Sequence, residues 1–421
     1  VSERGVGVWV RGTFAALDNR HFRILFAGTS LTFIAFFMSL PVQAVVAFDL
    51  SGTNQGVGWV IAGQGLAQLI LGPFGGALAD RFSKKLILLS CQVVITFSFG
   101  ALAVLVVTDA ITVPLLVAGS FLIGSAFSFL GPARQALLVE LVGPGRRGNA
   151  IALMQVALNG SRVLAPMVAT VFLGVGALGP GGAYFAMMGL YVGAMYSTTL
   201  MPKLAPPAGA GRAVLGEVAS GFGYVWRTRN IRLLVLSYIL IIAIGFAYTA
   251  VLPGLVKNGF DRPASDITLL LLANAAGGLL ASFAVAAVAD TPRAGALYTA
   301  LCVCFGAALV LTGLAPAYWL VVGTMFLVGA AGGGFQTLNG VLVSHRTNPA
   351  YFGRVVALTF LAFAVSSLVA LPFGALADRI GETETILASG IAVSALALLF
   401  AAAGRTTPRP AGTAPSPAPG G

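Results

Sequence analysis

An all-α membrane fold, with twelve transmembrane helices in two pseudo-symmetric six-helix bundles, follows from three observations: apolar segments of bilayer length, one-sided positive charge, and an internal repeat. The 421 residues are 58% hydrophobic and 9% charged, and the mean hydropathy is +0.94. Soluble domains carry roughly 25% charge, so most of this surface must face lipid.

A helix needs about 20 apolar residues to cross a bilayer. That length predicts spans at 22–46, 56–79, 86–107, 113–137, 149–175, 183–201, 231–255, 266–289, 294–314, 318–342, 355–376 and 385–403. They divide the chain into an N-terminal segment 1–21, a six-helix bundle 22–201, a linker 202–230, a second bundle 231–403 and a tail 404–421. The stretch before Arg20 lacks the apolar run of a cleavable signal, and Val1 is compatible with an alternative start codon. The linker opens rich in Pro, Gly and Ala and continues as a mildly amphipathic stretch over Val214 to Trp226. It reads as a tether with some surface helix. The proline-rich tail has no apolar face to bury and is expected to be disordered.

With both termini cytoplasmic, twenty Lys and Arg fall in inward loops, Arg134 counted among them, and only Lys257, Arg262 and Arg379 fall outside. Arg162, inside the fifth span, completes the 24. The positive-inside rule then sets the topology, and a bacterial-type inner membrane is the expected location. The net charge of +11 is spread singly between apolar segments, which argues against a nucleic-acid partner.

The repeat pairs Gly148-Asn-Ala-Ile-Ala-Leu with Gly353-Arg-Val-Val-Ala-Leu, 205 residues apart, and each continues to a proline, Pro166 and Pro372. A second echo links Asp80 after the second span with Asp290 after the eighth, 210 apart. Duplicated bundles are a means by which carriers build a central site that opens to either side.

The loop after the second span reads Gly75-Gly76-Ala-Leu-Ala-Asp80-Arg81-Phe-Ser-Lys84-Lys85. Its glycines permit close helix approach, and its charges can pair with helix ends in one conformation and release them in another. This loop resembles the signature of the major facilitator superfamily, with Ser83 where a glycine is common. Gly131-Pro-Ala-Arg134-Gln135, Asn149-Ala-Ile-Ala-Leu and Ser161-Arg162-Val-Leu-Ala-Pro166 look like the subgroup of enterobactin-type siderophore exporters and macrolide efflux proteins. The resemblance runs from Asn19 to about Phe400. It implies a carrier that exports amphipathic compounds, drug-like or siderophore-like, on the proton gradient. The alternative is a metabolite importer or an uncoupled facilitator, and after it a non-transporting sensor.

Three positions depart from the family pattern. Ala165 precedes Pro166 where drug antiporters have glycine, the first span reads Ile34-Ala-Phe36-Phe37-Met without an acid, and Val117 to Gly124 in the fourth lacks an arginine. Proton antiport through the usual residues is not supported. All thirteen acids lie at or near predicted loops or helix ends, so no carboxylate stands at the midplane, where a proton carrier would use one.

A conformational latch is assigned to Gly76, Asp80, Arg81, Lys84, Lys85, Arg134 and Glu140. In it the resemblance implies that Asp80 caps the start of the eleventh helix or another inward helix end, and Glu140 pairs with Arg81 or Arg134; the alternative is a proton relay through Asp80, Glu140 and Asp290 near the cytoplasmic face. Arg162, a charge deep in an apolar helix, needs a partner. With Asn159 on the same face it either recognises an anionic substrate group or bonds neighbouring helices. Gln43, Gln64, Gln68, Tyr248, Asn274, Gln336 and Asn339 either line the cavity or join helices. The resemblance implies that helices one, two, five, seven, eight and ten border that cavity.

Other classes fit poorly. None of the four lysines follows a glycine, so there is no phosphate-binding Gly-Lys pair. His21 and His345 fall near cytoplasmic ends, and no catalytic constellation converges. Cys91, Cys302 and Cys304 lie in apolar stretches and read as small core residues, with no metal or cofactor implied. The expected partners are a small-molecule substrate, protons and the lipid around a monomer.

Overall fold

The computed structural model describes residues 15–143, 146–174, 178–202, 214–286, 291, 293–348 and 351–405. Twelve long helices are numbered here in chain order: α1 Arg20–Ser51, α2 Asn54–Arg81, α3 Lys84–Val107, α4 Val113–Val142, α5 Arg147–Gly174, α6 Gly179–Thr199, α7 Arg229–Gly245, α8 Ile267–Ala286, α9 Ala294–Gly313, α10 Tyr318–Arg346, α11 Phe352–Ile380 and α12 Glu382–Arg405. Among the described residues there is no strand.

Among the described residues, eleven stretches are long and apolar enough to cross a membrane. The remaining helix, α6, has 21 residues but a composition rich in Gly, Tyr, Met and Thr. It turns Tyr184, Met187 and Tyr191 inward against α1 and α3. Pro180 at its N-terminus supplies a fixed φ and has no N–H to leave unbonded, which starts the helix four residues before the predicted span.

Several helices outrun their predicted spans. Asn19 caps α1, its Oδ1 accepting from the His21 and Phe22 amides at 2.9 and 3.3 Å. Gly52, at φ +66°, closes the other end in the left-handed conformation, which a glycine adopts without steric cost. The seventh span is broken: α7 stops at Gly245, and 3-10, α and π turns carry the chain to Gly259. Pro253 within that stretch has no N–H to donate and so favours a break there.

Helices α1–α6 pack chiefly on one another, as do α7–α12, and the two sets meet mainly through α2 with α11 and α5 with α8. Each bundle has an aromatic core. Phe99 lies 5.7 Å from Tyr191 and 6.3 Å from Tyr184 in the first, and Phe305 lies 5.4 Å from both Phe335 and Phe246 in the second. Of the cysteines, Cys91 and Cys302 are buried, whereas Cys304 is exposed. Cys304 is two residues from Cys302 and so points to another face of α9; it is not a core residue.

The start of the linker and the terminal segments 1–14 and 406–421 lie outside the described residues. The later linker forms a helix, Val214–Arg227. It docks on the second bundle, with Tyr224 stacked on Tyr351 at 4.4 Å and its hydroxyl accepting from the Asn348 amide at 3.0 Å. Phe222 and Trp226 are exposed and stack on each other at 5.6 Å.

Candidate functional site

A cavity of about 1780 Å³ lies between the bundles. Residues of α1, α2, α5, α8 and α10 line it, joined by α4 and α11; the seventh span contributes Phe246, Thr249 and Leu252 from the turns after α7, and no described residue of α7 itself. Gln64, Gln68, Asn159, Arg162, Asn274 and Gln336 reach it, as do the unpredicted Gln135 and Gln155. Three arginines, Arg134, Arg162 and Arg354, are among the described lining residues, and no carboxylate is. The walls are otherwise largely aromatic and aliphatic, with Phe36 stacked on Phe127 at 4.0 Å.

The cavity is open at one end of the bundles and closed at the other. Along α2, a Cβ on Gly58 would lie 2.8 Å from the Ala370 carbonyl oxygen and the Leu371 Cα of α11, while one on Gly72 would meet nothing within 4 Å. Thus α2 and α11 touch near Gly58 and separate toward Gly72. Gln135, Gly353 and Arg354 line the open mouth, at the end that carries Gly75–Lys85; that stretch is mostly helix and not the expected loop, because α2 runs to Arg81 and α3 starts at Lys84.

Polar contacts lock the closed end. Asp378, near the end of α11, accepts from the Asn54 amide at 2.8 Å, the Gln55 amide at 2.9 Å and Asn54 Nδ2 at 3.0 Å. Those amides belong to the first turn of α2, where N–H groups lack intrahelical partners and negative charge is favoured. Glu382 accepts from Asn54 Nδ2 at 3.0 Å and from Asn258 Nδ2 at 2.7 Å. Thr170 of α5 donates to Thr268 of α8 at 2.7 Å, and Lys257 approaches Asp49 at 3.7 Å. Every one of these bonds except Asn258–Glu382 crosses between the bundles.

A twelve-helix pair of bundles around an end-gated cavity has a counterpart in sequence, because the pattern of the Major Facilitator Superfamily matches residues 25–370. The chain belongs to the major facilitator superfamily. Quinolone resistance protein NorA of Staphylococcus aureus is 38% identical over 80 residues, a match covering 19% of this chain and 20% of that protein. The staphyloferrin A transporter of Staphylococcus aureus is 24% identical over 345 residues, covering 79% of this chain and 83% of that one. Among solved structures, the nucleoside transporter NupG superposes with a TM-score of 0.76 at 14% identity, over 92% of this chain and 100% of that one. A POT family transporter in complex with a thioalcohol conjugated peptide superposes with a TM-score of 0.75 at 11% identity, over 92% and 96%. The family and the fold are those of transporters.

Within this superfamily fold, the signature loop divides its work. Lys84, buried, pairs with Glu140 at 2.5 Å, joining α3 to α4. The described partner of Glu140 is therefore Lys84 and not Arg134, one of the two the sequence suggested, because Lys84 opens α3 beside the end of α4. Lys85 donates to the carbonyls of Thr199, at 2.7 Å, and Met201 at the end of α6, where the helix dipole favours a cation. Both lysines thus brace the first bundle internally. The side chains of Asp80 and Arg81 lie outside the described residues, as do the Gly76 surroundings and Asp290.

The placement of Arg134 differs from expectation, and three polar candidates lie off the cavity wall, on the helix-packing side of the two alternatives. Arg134 is not a loop cation: α4 continues to Val142, so Arg134 is buried within the helix, donating to Thr32 Oγ1 at 3.1 Å. Gln43 turns away from the cavity and accepts from Ser120 of α4. Tyr248 is buried behind the wall, its hydroxyl accepting from Asn274 Nδ2 at 3.2 Å. Asn339 is buried off the cavity, with no hydrogen-bond partner in the structure for its Oδ1.

Asp378 was missed although its signal was present. Pro73-Phe-Gly-Gly-Ala-Leu-Ala-Asp80-Arg81 recurs one glycine shorter as Pro372-Phe-Gly-Ala-Leu-Ala-Asp378-Arg379. The copy sits at the far end of the helix that packs antiparallel to α2.

Proposed function

We propose that the chain exports small amphipathic organic compounds, drug-like or siderophore-like, by alternating access across a bacterial-type inner membrane, powered by the proton gradient. The observation that carries this reading is a large, mainly apolar cavity closed at one end by inter-bundle bonds and open at the other. By the positive-inside rule the open end, with Arg81, Lys84 and Lys85, faces the cytoplasm. Export is supported by the partial likeness to NorA and the longer likeness to the staphyloferrin A transporter, and by the resemblance to the enterobactin-exporter subgroup.

Alternating access requires the opposite closure as well. Asp378 caps α2 at the closed end. Asp80, at the other end of the same antiparallel pair, would cap the start of α11 once the inner ends meet, with Gly76 permitting close approach and Arg81 pairing nearby. Asp80→Asn is expected to lower transport sharply with expression unchanged, and unchanged flux would contradict the latch.

A second reading, a metabolite importer or uncoupled facilitator, is favoured by the absence of a carboxylate among the described cavity-lining residues. Everted membrane vesicles separate the two. Under the export reading, acidifying the vesicle interior drives accumulation of an amphipathic fluorescent substrate, and a protonophore abolishes it. Accumulation indifferent to the protonophore would support the second reading.

A further inference from the structure

Two cations converge on one strip of the cavity wall. Phe33 and Phe37 stand four residues apart on α1, and so on one face, with ring centroids 6.4 Å apart. The guanidinium of Arg134, from α4, lies 4.5 Å from the Phe33 centroid, and that of Arg162, from α5, lies 5.3 Å from Phe37. A ring face attracts a cation electrostatically and leaves the hydrogen-bonding edge of the guanidinium available. Arg134 uses one N–H on Thr32. Arg162 sits mid-helix yet is exposed to the cavity, and among the described residues it has no hydrogen-bond or ion-pair partner.

In the open conformation water can hydrate these guanidiniums. Alternating access requires a state in which both ends are shut and most of that water is excluded, and an unpaired charge enclosed in low-dielectric surroundings is costly. No described carboxylate lines the cavity to offset it. The counter-charge has to arrive with the cargo.

We propose that the substrates are organic anions: an oxyanion group (carboxylate, sulfonate or phosphate) seats on Arg162 and Arg134, and the apolar body lies against Phe36, Phe37 and Phe127. The proposal rests on the transporter reading above and adds the charge class. Planar guanidinium forks suit this role, because they take an oxyanion through two parallel hydrogen bonds. The aromatic wall beside them selects for an amphipathic carrier of that charge over a small inorganic ion.

The test uses three probes with one aromatic body, 2-naphthylacetate, 2-naphthylacetamide and 2-naphthylethylammonium. Binding is measured by calorimetry on the purified full chain in lipid nanodiscs, and flux in proteoliposomes. The carboxylate is expected to bind at least about tenfold more tightly than the amide, and the ammonium least. Arg162→Gln and Arg134→Gln are expected to weaken the carboxylate about tenfold and leave the amide unchanged, with Arg162→Lys retaining part of the preference. Amide or ammonium binding as tight as the carboxylate overturns the charge class and leaves the transporter reading standing. A variant that weakens acid and amide alike shows a structural arginine and overturns the seat. Failure of all three probes to bind or move counts against both readings.

Discussion

Asp378 concentrates three hydrogen bonds of the closed end in one carboxylate, two of them from backbone amides at the start of α2. Hydrogen bonds to a charged group each contribute about 1.5–3 kcal/mol. Asp378→Asn keeps one acceptor oxygen but loses the charge and the second acceptor, so the closed end should weaken by about 2 kcal/mol, roughly a thirtyfold shift in population. Spin labels on cysteines at Leu50 and Asp261, one on each bundle at that end, report the result as a distance distribution. A longer second population is expected in Asp378→Asn, and an unchanged distribution would show that Asp378 does not hold the gate. The residue scale is also where sequence reading was weakest. Glu140 had several cations within reach of its loop, and only the three-dimensional path of α3 selects Lys84. Arg162, Asn159 and the glutamines of α2 were legible because a polar group in an apolar helix has few places to go other than the interior. Gln43, Tyr248 and Asn339 obey the same rule and turn inward, but toward neighbouring helices, a distinction that helical spacing does not encode.

The contact between α2 and α11 decides at the level of elements which end of the cavity is open. Gly58 leaves no room for a side chain against Ala370 and Leu371. Gly58→Ala should therefore force the pair apart, at a cost of about 1–3 kcal/mol to this conformation. Gly72→Ala, directed into open space, should change the same thermal-unfolding and label-distance measurements by less than about 0.5 kcal/mol. Equal effects from both would remove the packing account of the gate. The existence and order of the helices were legible from bilayer-length apolar runs, and the 205-residue repeat recurs in the helix starts, Arg147 for α5 and Phe352 for α11. Their lengths were not, because a rule based on membrane thickness truncates helices that project beyond it. Arg134 was counted with the inward loops although the predicted span 113–137 already contains it, and the helix runs on to Val142. Matching equivalent positions of the two halves pointed from Asp80 to Asp290, whereas the copied Ala-Leu-Ala-Asp-Arg lies on the antiparallel neighbour, where physical contact and not repeat symmetry places it.

For the whole molecule, the charge asymmetry and the gated cavity make linked claims. Two of the three cations assigned to the outer face, Lys257 and Arg262, sit beside acids, Asp49 at 3.7 Å and Asp266 at 2.6 Å, whereas the basic loops gather at the open end. Both termini are accordingly expected in the cytoplasm. A C-terminal green fluorescent protein fusion should fluoresce and a C-terminal alkaline phosphatase fusion should be inactive; the reverse pattern would invert the topology and the direction assigned to the cavity. The central claim, that this superfamily member is a carrier turning one site between two faces, is tested most directly by counterflow. Proteoliposomes preloaded with unlabelled substrate and diluted into a trace of labelled substrate should show a transient accumulation of label, with initial rates that saturate. Uptake that rises without saturation and never overshoots, or no uptake at all, would contradict it.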